Sequence, residues 1–259
     1  KPKLTFKEKR KLKKEKTKLF KFPEDLSKEL EKEQPDVIGF SSYMWNTLLS
    51  DMFMKRIKEV FPKIVTVAGG PNFSSVEEEQ FEYLKKRSWI DYYIVKEGEH
   101  AFYRLISELI NKSSIEVISN LPNLVFINNG NFYHHKKIER IMDLTEIPSP
   151  YLSGKLDRFM DGKLLPIIQT NRGCPFTCTF CTEGQGYWSK VKTKSSEVIA
   201  GEISYISKKM NSLETSKKRT DFYIADSNFG MYKEDLNTCK ALAEEQKKTG
   251  YPKYISVTT

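Results

Sequence analysis

The sequence predicts an α/β protein built on parallel sheets, and three observations lead to that fold class. Short apolar runs, such as residues 36–42, alternate with longer segments whose apolar residues recur every three or four positions. The loops between these segments are short, which favours parallel strands joined by right-handed helical crossovers. Glycine or small polar residues follow several of the runs, and ligands bind at that carboxyl edge of parallel sheets.

The chain divides into two such series separated by a different segment. In the first series we expect a helix over residues 26–33, strands over 36–42, 63–68 and 92–95, and helices after each strand. Residues 124–127 and 132–135 then flank an Asn-Gly pair, which is a strong hairpin signal. In the second series we expect strands over 165–170, 221–225 and 254–257, and helices over 197–210 and 233–248.

Composition and charge exclude several classes of protein. The apolar fraction of 39% supports packed cores, and 259 residues suffice for two domains. Residues 1–18 contain ten Lys or Arg and two Glu, so they carry +8 of the net charge of +9 and the remainder is nearly neutral. We interpret this basic segment as a solvated helix or arm, and a tail that touches nucleic acid or an anionic surface stays open.

Neither a membrane span nor a secretory leader is evident. No apolar run approaches the ~20 residues that a spanning helix needs. We therefore expect a cytoplasmic protein without a membrane partner. The chain does not begin with methionine and its last residues read as a strand with nothing after it, so we also expect a fragment at both ends.

Three of the four cysteines lie in PIIQTNRGCPFTCTFCTEGQGYWSK, at Cys174, Cys178 and Cys181, with the spacing C-x3-C-x2-C. Three thiolates on one loop can bind a soft metal centre and leave one position of a four-iron cluster without a protein ligand. Core thiols, disulfides, or a zinc site with a distant fourth ligand remain alternatives. Cys239, the fourth cysteine, falls on the apolar stripe of its helix with Leu236 and is predicted to be a core residue.

This loop resembles that of the radical S-adenosylmethionine (SAM) enzymes, whose C-x3-C-x2-C motif carries a [4Fe-4S] cluster. An aromatic residue directly before the third cysteine is typical of them, and Phe180 occupies that position. The resemblance implies that Cys174, Cys178 and Cys181 bind three irons, while SAM chelates the fourth iron through its amino and carboxyl groups. It also implies that Phe180 lies beside SAM, and that one electron cleaves SAM to a 5′-deoxyadenosyl radical.

The predicted strand over residues 221–225 ends in Asp226-Ser227-Asn228-Phe229, where the resembled family holds the methionine end of SAM. Many members carry Gly-Gly-Glu there, and relatives with cobalamin domains often carry an Asp-rich turn that ends in Asn-Phe. The resemblance implies that Asp226 or Asn228 binds the amino group of SAM. An N-cap for the following helix is the competing interpretation.

The segments DVIGFSSYMWN, VAGGPNFS and IVKEGEHAF, in this order, resemble the cobalamin-binding domain that precedes many radical SAM cores. Taken without the resemblance, their glycines are consistent with plain tight turns. Two departures stand out: a lysine-rich, helix-like segment replaces the strand expected before Asp36, and no D-x-H-x-x-G loop offers a lower axial histidine. The resemblance implies that the corinoid site is lined by Ser41, Ser42, Gly69, Gly70, Glu97 and Gly98.

Together these inferences predict four regions. They are a basic segment (1–35), a Rossmann-like (flavodoxin-like) cobalamin-binding domain (36–120), a hairpin and linker (121–150), and the first part of a partial (β/α)6 radical SAM barrel (151–259). The predicted function is SAM cleavage with a [4Fe-4S] cluster, with cobalamin for methyl transfer or related radical chemistry on a substrate that the sequence does not name. With half of the barrel absent, the fragment is expected to be inactive.

Two other functions compete with this prediction. A methylthiotransferase-like radical enzyme acting on RNA would need further cluster cysteines, and residues 1–173 contain none. A zinc-stapled nucleic-acid-binding module would use the basic segment. The favoured function requires an electron donor such as flavodoxin or ferredoxin and predicts no nucleic-acid partner.

Overall fold

A five-stranded sheet and a three-stranded sheet organise the two halves of the chain, which divide between Glu139 and Arg140. The structure is a computed structural model that describes residues 23–184, 186–216 and 218–258. The predicted basic arm at residues 1–18 therefore lies outside the described residues. Every helix within the described ranges is too short or too polar to cross a membrane.

The first unit is built on a mixed sheet in the order β1-β2-β3-β4-β5. The strands β1, β2 and β3 are parallel, and β4 and β5 form an antiparallel hairpin beside β3. The five strands are β1 (Val37–Ser41), β2 (Val65–Gly69), β3 (Tyr92–Ile94), β4 (Leu124–Asn128) and β5 (Asn131–His134). The helices are α1 (Pro23–Glu33), α2 (Thr47–Val60), α3 (Glu77–Lys85), α4 (Glu99–Ile110) and α5 (Ile115–Ser119).

Helices cover both faces of this sheet. On one face, Met54 of α2 and Leu84 of α3 pack in a cluster with Tyr93 of β3. On the other face, Leu105 of α4 is fully buried in a cluster with Phe126 of β4. Burial on both faces explains why the strands read as continuous apolar runs rather than as alternating patterns.

The hairpin belongs to the first sheet, whereas the sequence assigned it to a connecting region over residues 121–150. Strand β4 pairs with β3 through Tyr93 opposite Val125, so it covers an edge that would otherwise be exposed. Asn129 and Gly130 both have positive φ, at 48° and 78°, which is the backbone of a type I′ hairpin turn. The Asn-Gly signal therefore predicted the hairpin correctly. It did not predict the pairing of β4 with β3, because β3 is distant in sequence.

The second unit is built on a parallel sheet in the order β10-β9-β6, with a short antiparallel ladder, β7-β8. Its core joins Ile206 and Met210 of the first helix to Phe222 and Ile224 of β9. The strands are β6 (Ile167–Ile168), β7 (Asn171–Arg172), β8 (Lys192–Thr193), β9 (Asp221–Ile224) and β10 (Tyr254–Val257). The helices are α6 (Ser196–Asn211) and α7 (Asp235–Thr249), and short 3₁₀ turns are Leu144–Glu146, Asp157–Phe159, Thr182–Gly184 and Gly186–Trp188.

The prediction that Cys239 is a core cysteine was wrong. Cys239 is exposed, and the predicted packing residue Leu236 is 57% exposed. Helix α7 instead buries Asp235, Thr238 and Leu242. The carboxylate of Asp235 accepts hydrogen bonds from backbone amides in the turn before the helix, and this contact turns the Asp235 side of α7 inward.

Candidate cofactor sites

The carboxyl ends of the parallel strands in the first unit bring together four of the residues predicted for the corinoid. Ser41 of β1 lies directly opposite Gly69 of β2 in the sheet register. The amide of Ser42 donates to the carbonyl of Gly69 at 2.6 Å, and the amide of Asn72 donates to the carbonyl of Ser42 at 3.2 Å. The loops after β1 and β2 are thus in direct backbone contact at this edge.

Gly70 is required for that contact. Its φ is +127°, and a Cβ added there would lie 2.6 Å from the carbonyl oxygen of Ser42. Its own carbonyl accepts a hydrogen bond of 3.2 Å from the buried hydroxyl of Tyr93. The glycine is therefore explained by the close approach of two loops, whether or not a ligand is bound.

A network of short polar side chains fixes the loop between β1 and α2. The amide nitrogen of the Asn46 side chain donates to the Ser41 hydroxyl at 2.9 Å. The hydroxyls of Ser42 and Thr47 lie 3.2 Å apart, and the Asn72 side chain donates to Thr47 Oγ1 at 2.7 Å. These bonds hold the predicted site residues Ser41 and Ser42 in one arrangement at the strand ends.

The same loop presents an apolar surface to solvent. Met44 is 86% exposed and Trp45 is 78% exposed. The ring of Tyr43 stacks on that of Trp45 with centroids 4.6 Å apart. Exposed apolar side chains that lie together can form part of a binding surface. A flat, largely apolar macrocycle is chemically compatible with it.

Glu97 and Gly98 follow the third strand and lie at the same edge of the sheet. Glu97 is only 5% exposed, and its carbonyl accepts a hydrogen bond of 3.4 Å from the side chain of Asn123. Beside it, burial lowers the pKa of Lys96. A Cβ on Gly98 would make only an ordinary contact at 3.7 Å with Ile94, so packing does not demand a glycine there. All six residues predicted for the corinoid thus lie at one sheet edge, and their contact with cobalamin stays a prediction.

In the second unit, residues 173–190 form the cysteine loop. The β7-β8 ladder closes its base, and the amide of Cys174 donates to the carbonyl of Trp188 at 3.0 Å. Gly173 has a φ of +116°, and a Cβ there would lie 2.6 Å from the same Trp188 carbonyl. The cysteine loop therefore begins at a point where two backbone segments touch.

The three thiols of the cysteine loop are free and differ in exposure. Cys174 is buried, whereas Cys178 and Cys181 are exposed. Two tight turns connect them to the end of the motif, since the Cys181 amide donates to Cys178 at 3.1 Å and the Gly184 amide donates to Cys181 at 3.0 Å. Phe180, predicted to lie beside SAM, is 93% exposed.

This donor set fits an iron–sulfur cluster with an open position. Among the described residues no disulfide engages the thiols, so all three are available as soft ligands. In the same ranges, no three His, Cys, Asp or Glu side chains are grouped as a metal site, so the three thiols are not drawn together in this structure. The thiols share one loop, and their closure around a cluster stays a prediction.

Gly184 gives a direct test of the geometry of the cysteine loop. A Cβ on Gly184 would lie 2.2 Å from the carbonyl oxygen of Cys178 and 2.9 Å from its amide nitrogen. Because both are backbone atoms, we expect Gly184→Ala to distort the loop and to lower the iron retained by the reconstituted protein by about tenfold or more, as poorly oriented ligands do. Iron content per protein, measured after desalting, reports the effect.

Gly186 supplies the matched control, because a Cβ there would meet nothing within 4 Å. Gly186→Ala should therefore retain as much iron as the unaltered protein. Equal iron retention by the two alanine variants would contradict this description of the loop.

Asp226 connects the end of β9 to the segment that leads into the cysteine loop. Its carboxylate is 1% exposed and accepts hydrogen bonds from Thr170 N at 2.7 Å, Asn171 N at 3.2 Å and Asn171 Nδ2 at 3.0 Å. The Thr170 hydroxyl donates to it as well. Burial raises the pKa of Asp226, and the hydrogen bonds from Thr170 oppose that rise.

Neither Asp226 nor Asn228 caps the following helix. Helix α7 has its N-cap at Glu234, so the competing interpretation of this turn was wrong. Asn228 is half-buried beside Phe229, which packs in the core of the second unit. The binding of SAM by either residue stays a prediction. In the structure, the carboxylate of Asp226 fixes the turn at Thr170 and Asn171 through its hydrogen bonds.

Sequence reasoning missed two further polar residues near the cysteine loop. Asn171 is 1% exposed and donates to the carboxylate of Asp235 at 3.3 Å. Asp235 also accepts from the amides of Gly230 at 2.7 Å and Tyr232 at 3.0 Å. The available signal was weak: these are polar residues placed just after an apolar strand or just before a helix.

Part of the first unit matches a known family. Residues 14–106 match the family described as "B12 binding domain". The match begins ahead of β1 and includes α1, so the lysine-rich segment that looked like a departure from the family falls inside it from residue 14 onward. The chain is thus a relative of the radical SAM enzymes that carry an N-terminal cobalamin-binding domain, which confirms the predicted resemblance.

Individual relatives agree with this class. The chain is 30% identical over 229 residues to a 2-(S-pantetheinyl)-carbapenam-3-carboxylate methyltransferase from Streptantibioticus cattleyicolor, covering 86% of this chain and 32% of that protein. It is 30% identical over 230 residues to the cobalamin-dependent radical SAM methyltransferase TokK from Streptomyces tokunonensis, with the same two coverages of 86% and 32%. The chain therefore spans about a third of the length of both curated relatives.

A solved structure supports the fold. The cobalamin-dependent SAM radical enzyme OxsB, with aqua-cobalamin and SAM bound, matches with a TM-score of 0.65 at 19% identity. The match covers 86% of this chain and 30% of OxsB. The predicted fold class, a Rossmann-like cobalamin-binding domain followed by radical SAM barrel strands, is confirmed.

Proposed function

We propose that the protein is a radical SAM enzyme that uses a [4Fe-4S] cluster to cleave SAM and uses cobalamin to transfer a methyl group. One observation carries the proposal: three free thiols with C-x3-C-x2-C spacing lie on one loop of a chain whose other unit is a B12-binding domain. Three thiolates leave a cluster corner for SAM, and a corinoid is a known methyl carrier.

The relatives support methyl transfer as the outcome. Both curated relatives are named as methyltransferases, and one is named as cobalamin-dependent. The chain spans about a third of either protein, so the substrate of neither is assigned here. The substrate of this protein is a carbon centre of unassigned identity, and related cobalamin-dependent radical chemistry is the second outcome that the proposal allows.

The chain's own residues have distinct tasks in this proposal. Cys174, Cys178 and Cys181 hold the cluster, and Asp226 fixes the turn that leads into their loop through Thr170. When bound, the cluster would supply the single electron that cleaves SAM to a 5′-deoxyadenosyl radical, and cobalamin would supply the methyl carrier. No side chain provides either function. The exposed Phe180 is available to cover bound SAM.

In the first unit, the strand-end residues offer backbone and small polar groups to the corinoid. Gly70 and Ser42 form a rigid junction because their loops touch, and Gly98 leaves room that its packing does not use. The stacked pair of Tyr43 and Trp45 adds an apolar surface beside these residues. An electron donor such as flavodoxin or ferredoxin and a cytoplasmic location complete the proposal.

Anaerobic reconstitution of the full-length protein tests this function. We expect about four irons and four sulfides per chain, one bound corinoid, release of 5′-deoxyadenosine from SAM, and transfer of label from methyl-labelled SAM to a product. Zinc without sulfide, together with salt-dependent binding to nucleic acid, would instead support the nucleic-acid-binding alternative. Deoxyadenosine without methyl transfer would keep the radical step and exclude methylation.

A further inference from the structure

The hydroxyl of Tyr232 is a buried polar group that the proposed function does not use. Its oxygen is inaccessible to solvent and has no hydrogen-bond partner among the described residues. A buried hydroxyl without a partner retains the full desolvation cost of the group, so native proteins rarely keep one without a reason. One such reason is a hydrogen-bond partner that is present beside the hydroxyl only when the protein holds its cofactor.

Hydrogen bonds connect the turn that carries Tyr232 to the segment that carries Cys174. The Tyr232 amide donates to Asp235 Oδ2 at 3.0 Å, and Asn171 Nδ2 donates to the other oxygen of the same carboxylate at 3.3 Å. Asn171 is itself buried and lies three residues before Cys174. Asp235 therefore bridges the two segments and ties the backbone at Tyr232 to the side chain of Asn171.

The electrostatics around the phenol agree with this placement. Burial raises the pKa of Tyr232, and the neighbouring side chains that add to the rise are, in order of effect, Cys174, Asp235, Glu183 and Asp226. A phenol hydroxyl is a hydrogen-bond donor at neutral pH.

We propose that the Tyr232 hydroxyl donates a hydrogen bond to the Cys174 sulfur when the cluster is bound, and thereby raises the reduction potential of the cluster. This inference rests on the proposed function. A donor to a ligating sulfur stabilises the reduced cluster, which carries the greater negative charge. Cys174 is the buried ligand of the three, so the bond forms where a low dielectric makes it strong.

Tyr232 is a positioning residue in this scheme, because it acts on the cluster through Cys174. A purely structural role would involve another partner. The side-chain oxygen of Asn171 is also buried and unpartnered among the described residues, so a hydrogen bond between these two groups is the competing structural role. In that case the cluster would not respond to loss of the hydroxyl.

Tyr232→Phe in the full-length, reconstituted protein tests the proposal, since it deletes the hydroxyl and keeps the ring. We expect unchanged iron and sulfide content and a more negative midpoint potential in a redox titration followed by the electron paramagnetic resonance of the reduced cluster. A shift of about 59 mV corresponds to a tenfold lower ratio of reduced to oxidised cluster at a fixed potential. We expect a shift of about this size, with a matching change in the Fe–S(Cys) stretching bands.

Tyr205→Phe is the matched control. The Tyr205 hydroxyl lies in the same unit and donates to Asp157 at 2.5 Å, so its loss should leave the potential unchanged. Equal potentials for Tyr232→Phe and the unaltered protein, or loss of iron in Tyr232→Phe, would overturn the proposal while leaving the proposed function intact. Failure of the unaltered protein to bind iron would reject the proposed function itself, and with it this hydrogen bond.

Discussion

Replacing Cys178 with alanine in the full-length protein is expected to abolish the iron–sulfur absorption and the cleavage of SAM. The three cysteines of the loop are the only thiol ligands that the motif offers, and the described residues contain no assembled group that would replace a lost one. Loss of groups that merely orient a ligand costs about 10–100-fold in metal affinity, so loss of a ligand should cost more. Iron and sulfide analysis and 5′-deoxyadenosine release measure the effect.

Cys239→Ala is the control for that experiment. Cys239 is the remaining cysteine, and it is exposed on α7 outside the motif. Its replacement should leave iron content and SAM cleavage at the level of the unaltered protein. Full iron retention by Cys178→Ala, or equal loss in both variants, would refute the assignment of the cluster to this loop.

Replacing Gly70 with alanine is expected to destabilise the first unit and to prevent corinoid binding. The φ of +127° is unfavourable for any residue with a Cβ, and the new atom would lie 2.6 Å from the Ser42 carbonyl. Strain and overpacking together should lower the free energy of local unfolding by about 3 kcal/mol. Hydrogen exchange of the amides in β1 and β2 reports the stability of this unit, and visible absorbance reports bound corinoid.

Gly39→Ala provides the comparison within β1. A Cβ at Gly39 would meet nothing within 4 Å, and its φ is not positive, so this variant should exchange as slowly as the unaltered protein and bind corinoid. If Gly70→Ala matches Gly39→Ala in both measurements, the close approach of the two loops is not needed for the site.

Most helices and strands followed from local signals. Strand β1 and the helix after it were predicted because an apolar run is followed by a stripe that includes Phe53 and Ile57, and both residues are buried. The carboxyl-edge position of Ser42 and Gly69 followed from the strand–helix alternation, because parallel strands place their carboxyl ends together. Such predictions need only residues that are close in sequence.

The contacts around the cysteine loop could not be predicted in this way. Asp226 binds Thr170 across 56 residues, and β7 pairs with β8 through only two residues on each side. A two-residue ladder has no periodicity to detect, and a pair so distant in sequence leaves no local pattern. The resemblance placed Asp226 near SAM, and the structure adds that its carboxylate organises the turn before the cysteines.

The sequence by itself determined the α/β class, the hairpin and the three-cysteine motif, since periodicity, an Asn-Gly turn and ligand spacing are properties of short segments. Only the tertiary structure decided that the hairpin completes the first sheet, that Cys239 faces solvent, and that the hydroxyl of Tyr232 is buried. The physical reason is that edge pairing, helix rotation and burial depend on groups such as Asp235, whose partners lie in other segments of the chain.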